Sequence, residues 1–254
     1  MEISRSLFWL SDEAWGAIEP HLPQNQPGAR RVDDRRVISG IIHMLKCGGH
    51  WADCPTEYGP ADNVLQPLEQ VEPPGHLDPH PGGADRGRLD RGDWTDRQQL
   101  HQGSPQCWWG KRGARANAIG ISRGGRTTKI HALVDVLGRP LRLVLTPGNT
   151  SDVKGADLLI GETIGMKRVI ADRGYDANRI RAALREQGTI PVIPGRRNRK
   201  RPIQYDERRY KDRWRVEAMF CRLKDFRRIA TRYDKLARNF LSAVSPAAAV
   251  AFWL

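Results

Sequence analysis

The stretch Lys129-Ile-His-Ala-Leu-Val-Asp135, the turn Leu137-Gly-Arg-Pro140 and the run Leu141-Arg-Leu-Val-Leu145 decide the fold. Apolar residues alternate with polar ones in both runs and a Gly-Arg-Pro turn separates them, which predicts an antiparallel hairpin. Working outward, Asp152 to Ile164 reads as helical and Arg168-Val-Ile-Ala171 as a third strand that runs into Asp172-Arg-Gly-Tyr-Asp176. A helix is expected from Ala177 to Gln187, a fourth strand at Thr189-Ile-Pro-Val-Ile193, and a long helical run from Glu207 to about Arg227 after the basic loop Arg196-Arg-Asn-Arg-Lys-Arg201. Strands alternating with helices predict the α/β class, a mixed sheet with flanking helices. The apolar run Leu241 to Leu254 is expected to be a buried helix.

Toward the other end, Ser11 is a good N-cap for a helix carrying Trp15, Ile18 and Leu22, bounded by Pro20 and Pro23. A second helix is expected from Asp33 to Lys46, with Val37, Ile38, Ile41, Ile42 and Leu45 on one face and Gly48-Gly49 as its stop. Two short helices joined by the basic Arg30-Arg31 connection resemble a small DNA-binding unit, and a helical pair that only packs fits the pattern equally well.

The 254 residues carry 42 Lys+Arg against 29 Asp+Glu, a net charge of +13, which points to a polyanionic partner. Four cysteines at irregular spacing exclude a disulfide scaffold and suit reduced cytosolic thiols, although Cys47, His50 and Cys54 are close enough to be checked as a metal group. No apolar run reaches the ~18 residues of a membrane span, and the first residues lack a signal-peptide core, so a cytoplasmic protein with no membrane partner is expected.

Charge is unevenly spread. Residues 61–110 hold eight acids and four arginines, with six Pro and seven Gly, so this segment is −4 and the remainder +17. Such a composition buries little.

Two acids fall where chemistry is done. Asp172 sits at the carboxyl end of a hydrophobic strand, where open α/β sheets place their reactive groups. Glu217 shares a helical face with Arg213 and Lys224, about one and two turns away. Together the two carboxylates supply the hard oxygen ligands that Mg²⁺ prefers, as phosphodiester chemistry on divalent ions requires. Spacing alone leaves a solvated salt bridge as the simpler reading.

The gaps in Tyr210-x2-Arg213-x3-Glu217-x6-Lys224 resemble the Y-(2)-R-(3)-E-(6)-K signature of IS4/IS5-type insertion-sequence transposases. Ile170-Ala-Asp172-Arg-Gly-Tyr-Asp176 is similar to their second-acid motif. Thr127-Thr-Lys-Ile-His131, Leu145-Thr-Pro-Gly-Asn-Thr-Ser-Asp152 and Leu223-Lys-Asp-Phe-Arg-Arg-Ile-Ala-Thr-Arg-Tyr-Asp-Lys235 also resemble the IS5 group. The resemblance implies an RNase H-like fold with a D-D-E triad on Mg²⁺ or Mn²⁺, cutting double-stranded DNA at terminal inverted repeats and joining it to target DNA. It also implies a homodimer in a synaptic complex and a nucleoid-associated location in a bacterial cytoplasm. By that resemblance Asp172 and Glu217 are the second and third acids and the metal ligands, and Tyr210, Arg213 and Lys224 position DNA phosphates. Arg196, Arg197 and Arg199, with the basic run Arg222 to Arg232, are expected on the DNA backbone. His131 is expected to be structural, and Asp135, Asp152 and Asp176 to act as supporting or capping groups.

The family's first acid has no convincing counterpart between Ala61 and Arg126. Reading permitted codons for Trp94 to Trp109 one base later gives GLIDSNYIKAHRSAG, and the same shift upstream gives a basic aromatic string. The expected organisation is therefore an N-terminal helical unit over 1–60, an out-of-frame, poorly ordered segment over 61–112, and an RNase H-like catalytic domain over 113–254 that lacks its first strand. In the shifted frame the first acid falls across the codons of Arg97 and Gln98. Asp96 lies beside it, but Trp94, Arg97 and Gln98 are not expected to form the strand that would present it. Trp108 and Trp109 are accidental under this reading. The alternative to an active transposase is a catalytically dead DNA-binding remnant that occupies element ends.

Overall fold

The computed structural model describes residues 6–22, 33–61, 93–102, 117–123 and 125–254; Trp108, Trp109 and most of 61–112 lie outside the described residues. Helices α1 (Asp12–Ile18) and α2 (Asp34–Cys47) come first, followed by strands β1 (Asp93–Gln102), β2 (Gly120–Ser122), β3 (Gly125–Val134) and β4 (Pro140–Pro147). Helix α3 (Asp152–Asp157), strand β5 (Arg168–Ala171), helix α4 (Asn178–Glu186) and strand β6 (Ile190–Val192) complete the α/β part. Helices α5 (Glu207–Tyr210), α6 (Trp214–Leu223), α7 (Arg227–Ala230) and α8 (Ala237–Phe252) follow.

The strands form one mixed sheet in the order β2-β3-β1-β5-β6, with β4 on β3. β3 and β4 pair antiparallel, as the hairpin reading expects. β1 is antiparallel to β3 and parallel to β5, and β5 is parallel to β6. The pleat of β3 splits the core in two. Ile130, Ala132 and Val134 join α2, α6 and α8 on one face, whereas Leu133 joins Leu141, Val169, Ala171 and the residues of α3 and α4 on the other.

Strand β1 corrects the expectation that the catalytic domain lacks its first strand and that Trp94, Arg97 and Gln98 form none. Its ten residues are mostly polar and give no alternating signal. A slot between β3 and β5 nonetheless presents unpaired backbone donors and acceptors on both sides, and the ladder that fills it is made by main-chain groups whatever side chains the segment carries.

The boundary expected at residue 60 does not coincide with a break in the core. α2 starts one residue later than expected, with Asp33 as its N-cap, whose Oδ1 accepts from the Arg36 amide at 3.2 Å, and ends at a left-handed Gly48. Its Val37, Ile41, Ile42, Met44 and Leu45 are buried with Ile130, Phe220 and Val244 of the catalytic part. Tyr58 closes over it, packed so tightly that a Cβ on Gly40 would lie 2.8 Å from the Tyr58 Cβ. The apolar face of α2 is thus spent on the core it shares with the sheet and the later helices.

Part of the basic run Arg222 to Arg232 is also interior, against expectation. Arg232 is fully buried, with Nε on the Asp234 carbonyl at 2.9 Å, Nη2 on the Asn117 carbonyl at 2.7 Å, Nη1 on Thr128 Oγ1 and the Phe240 ring 5.0 Å away. Arg228, equally enclosed, donates to the Gly49 carbonyl at 2.6 Å, approaches Asp234 at 3.5 Å and lies over Trp51. Burial pushes the Asp234 pKa up, and the charges of Arg228 and Arg232 oppose the shift. These guanidiniums satisfy carbonyls of three separate segments, and the fork geometry that does so is specific to arginine.

Replacing Arg232 by Met should strand the Asn117, Asp234 and Lys235 carbonyls and cost about 3–5 kcal/mol. Arg232→Lys should recover little of that loss, because a single ammonium cannot span these acceptors. Urea unfolding of the two variants against the parent chain measures both.

Candidate active site

The site is assembled by a change of helix type. The expected single helix from Glu207 is broken, with α5 tightening into a 3₁₀ turn at Lys211–Arg213 before α6 begins. Residues three apart eclipse each other in a 3₁₀ turn, which stacks the Arg213 guanidinium 5.5 Å from the centre of the Tyr210 ring. The α-helical turn that follows returns residues four apart to one face, and Arg213 Nη1 meets Glu217 Oε1 at 2.7 Å. The Y-x2-R-x3-E gaps are therefore one 3₁₀ step and one α step.

Asp172 stands where β5 ends. It N-caps the 3₁₀ turn Arg173–Tyr175, its Oδ1 accepting from the Arg173 amide at 2.7 Å, and the Tyr210 hydroxyl approaches the same oxygen at 3.4 Å. Burial and the Asp172 charge push the Tyr210 pKa up, so the phenol stays protonated and acts as a donor. Tyr205 meets Tyr210 edge to face at 5.5 Å. Thus Asp172, Tyr210, Arg213 and Glu217 form one contiguous line. Lys224, the C-cap of α6, is exposed on the same side of the helix two turns beyond Glu217. The turn Lys211–Arg213 packs against both β1 and β5, and α6 packs over β1.

The donor set suits a hard divalent ion only in part: Asp172 and Glu217 supply carboxylate oxygens, but no group of three His, Cys, Asp or Glu occurs among the described residues. Cys47 pairs with His43, Sγ to Nε2 at 3.4 Å, and forms no such group with His50 and Cys54.

The arginines of the basic loop divide. Arg196 and Arg197 are exposed, whereas Arg199 is half-buried, and both Arg196 and Arg199 are engaged by the turn after β5. Arg199 Nε binds Asp176 Oδ2 at 2.5 Å, and the Arg196 guanidinium binds the Gly174 carbonyl at 2.8 Å. Asp176 also accepts from Arg181 Nε at 2.9 Å. Burial works against the Asp176 carboxylate, but the hydrogen bonds from Arg199, the Arg196 amide and Arg181 outweigh it and hold its pKa down at about 2. The sequence gives this cluster no signal beyond an acid in a turn and arginines some twenty positions on.

Supporting groups behave as expected. Asp135 caps the hairpin turn through the Leu137 and Arg139 amides at 2.9 and 2.8 Å. Asp152 holds Lys129 Nζ at 2.7 Å. His131 is buried between the Tyr175 hydroxyl at 2.9 Å and Thr146 Oγ1 at 2.8 Å; burial pushes its pKa down to about 4, with Asp152 opposing and Lys129 assisting.

Comparison with known proteins gives the arrangement its context. A family model for the transposase DDE domain matches residues 93–251, and one for a candidate transposase of the IS4/5 family (DUF4096) matches residues 10–78. A candidate transposase for insertion sequence element IS6501 from Brucella ovis is 40% identical over 132 residues, 50% of this chain and 98% of that protein. One for insertion sequence element IS402 from Burkholderia cepacia is 35% identical over 140 residues, 51% of this chain and 63% of that protein. A piggyBac transposase synaptic complex with hairpin DNA aligns at a TM-score of 0.48 and 10% identity over 93% of this chain and 69% of that chain.

Acid should act on the fold in two steps. The folded pKa of His131, about 4, lies below its usual 6.5, so its contribution is complete above 6.5 and lost as pH falls toward 4. The folded pKa of Asp176, about 2, lies below its usual 3.8, so its contribution is complete above 3.8 and lost toward 2. Stability measured by denaturant titration at successive pH values should show both windows. Asp176→Asn should flatten only the lower one and His131→Gln only the upper.

Proposed function

The chain belongs to the DDE transposases of insertion sequences, and on that premise we propose that it acts on the double-stranded DNA of element ends through an RNase H-like centre built on Asp172 and Glu217. The observation that carries this reading is the contiguous line of Asp172, Tyr210, Arg213 and Glu217, which joins two acids from distant parts of the chain through the aromatic and basic residues at the signature positions. Asp172 and Glu217 would hold Mg²⁺ or Mn²⁺, which neutralises charge at the reacting phosphate and lowers the pKa of a bound water. Tyr210 orients Asp172 through its hydroxyl. Arg213 holds the Glu217 carboxylate in the unliganded site, and its fork and Lys224 are then the donors presented to DNA phosphates. Charge complementarity with a chain of net +13 supports a polyanionic substrate. Two copies in a synaptic complex, each acting at one element end, fit such a reaction.

We propose further that the copy written in this sequence is catalytically weak because its first acid is absent. In the ladder Asp96 is in register with Ala171, so the next step brings position 97 level with Asp172. Position 97 is arginine. The shifted reading frame places aspartate across the codons of Arg97 and Gln98, and the register, obtained independently of codons, supports that assignment. A frame disturbance between about 61 and 112 accounts for both the composition and this substitution. A remnant that binds element ends without cutting them is the second reading, favoured by the same arginine.

Incubation with terminal-repeat DNA and Mg²⁺ or Mn²⁺ separates these readings. The chain as written should bind and cut poorly. Arg97→Asp should raise cleavage by tenfold or more on the order expected for a restored electrostatic partner, and Asp172→Asn or Glu217→Gln should abolish the gain while leaving binding intact. Nicked DNA without joined product would instead assign a simple nuclease. DNA sequencing of the locus checks the frame: stop codons in the shifted frame of 61–112 would end that proposal.

A further inference from the structure

Asp176 and the loop after β6 form a unit that the reading above leaves without a role. The Asp176 carboxylate has no solvent exposure, yet it faces two guanidiniums. Arg181 Nε reaches Oδ1 at 2.9 Å, Arg199 reaches Oδ2 through Nε at 2.5 Å and Oδ1 through Nη2 at 2.7 Å, and the Arg196 amide donates to Oδ2 at 2.8 Å. Arg199 uses its remaining arm on Asn178 Oδ1 at 2.8 Å. Arg181 donates to the Ile193 carbonyl at 2.6 Å, just where β6 gives way to the loop. The Arg196 guanidinium reaches the Gly174 carbonyl at 2.8 Å, two residues along the chain from Asp172. The loop is fastened at its entry, its middle and the turn that carries the catalytic acid.

Such a cluster is a poor device for stability alone. Desolvating one carboxylate and the Arg181 guanidinium costs about as much as their attraction returns, and apolar packing would hold a loop as firmly. What charge-assisted, bidentate bonds add is a fixed geometry. The fastened loop carries three further cations, Arg197, Lys200 and Arg201. All three are exposed, and none has a hydrogen-bond or ion-pair partner among the described residues.

We propose that Asp176 is a positioning residue that, through Arg199 and the Arg196 amide, holds residues 195–201 as a preset ledge for DNA phosphates beside Asp172, with Arg197, Lys200 and Arg201 as its contacts. The ledge rests on the DNA-processing reading above. Its advantage is that the ordering of three long side chains and their backbone is completed before DNA arrives.

The decisive variant is Asp176→Asn, because two explanations predict opposite signs. It removes a negative charge near the bound DNA, so simple attraction makes binding tighter. A released ledge makes binding weaker. Binding of the full chain to a duplex oligonucleotide of arbitrary sequence is measured against salt concentration, where each phosphate contact contributes about −0.9 to the slope of log K against log salt. Asp176→Asn should bind about tenfold or more weakly, with a slope reduced by up to about 2.7, the value for three contacts. Arg199→Lys keeps its charge and should also weaken binding; a direct phosphate contact by Arg199 would survive that change. Hydrogen exchange of 195–201 should accelerate in both variants. Arg199→Lys carries the test alone if Asp176→Asn does not fold, since Arg199 lies at the rim of the cluster. Variants that bind as tightly as the parent with an unchanged slope overturn the ledge. A parent chain with no salt-dependent DNA binding overturns the DNA-processing reading itself.

Discussion

The backbone ladder that joins β3, β1 and β5 is the constraint on which the rest of the molecule depends. It brings an antiparallel hairpin and a parallel βαβ arrangement into one sheet, with β1 as the shared strand. Once β1 is in place, β5 must end beside it, and Asp172 follows directly from that end. The faces are then settled by the pleat: Ile130, Ala132 and Val134 define the side on which α6 packs, and α6 brings Glu217. Two acids 45 positions apart in the chain, the candidate pair Asp172 and Glu217, are thus located by main-chain hydrogen bonds and helix packing, and the Tyr210 and Arg213 contacts refine their placement.

Arginine does two jobs in this chain, and the net charge does not distinguish them. Arg181, Arg228 and Arg232 are interior, and each donates to main-chain carbonyls of remote segments. Arg35 does the same for the Leu10 carbonyl at the chain's first helix. An enclosed carbonyl without a partner is costly, and a long side chain with a five-donor fork can reach one where no strand or helix passes. The charge of these arginines is therefore engaged within the fold, and the cations left for a polyanion are fewer than the composition suggests.

What the sequence made legible was whatever depends on short-range geometry. The hairpin, α2 with its Gly48 stop, and α4 follow from period and punctuation. The candidate site residues stood out through the family resemblance of their gaps, because spacing alone fits a solvated salt bridge, and the 3₁₀ turn that brings Tyr210 and Arg213 together was not legible in the helical period. The fastening of Asp176 by Arg199 spans more than twenty residues, and nothing local to either marks the other. Arg228 and Arg232 were hidden by a different effect: a run of basic residues reads as a solvated face, and only their carbonyl partners at Gly49 and Asn117 reveal that they are interior. β1 was missed because its register is held by backbone groups, so Asp-Trp-Thr-Asp-Arg-Gln-Gln carries no apolar alternation to detect.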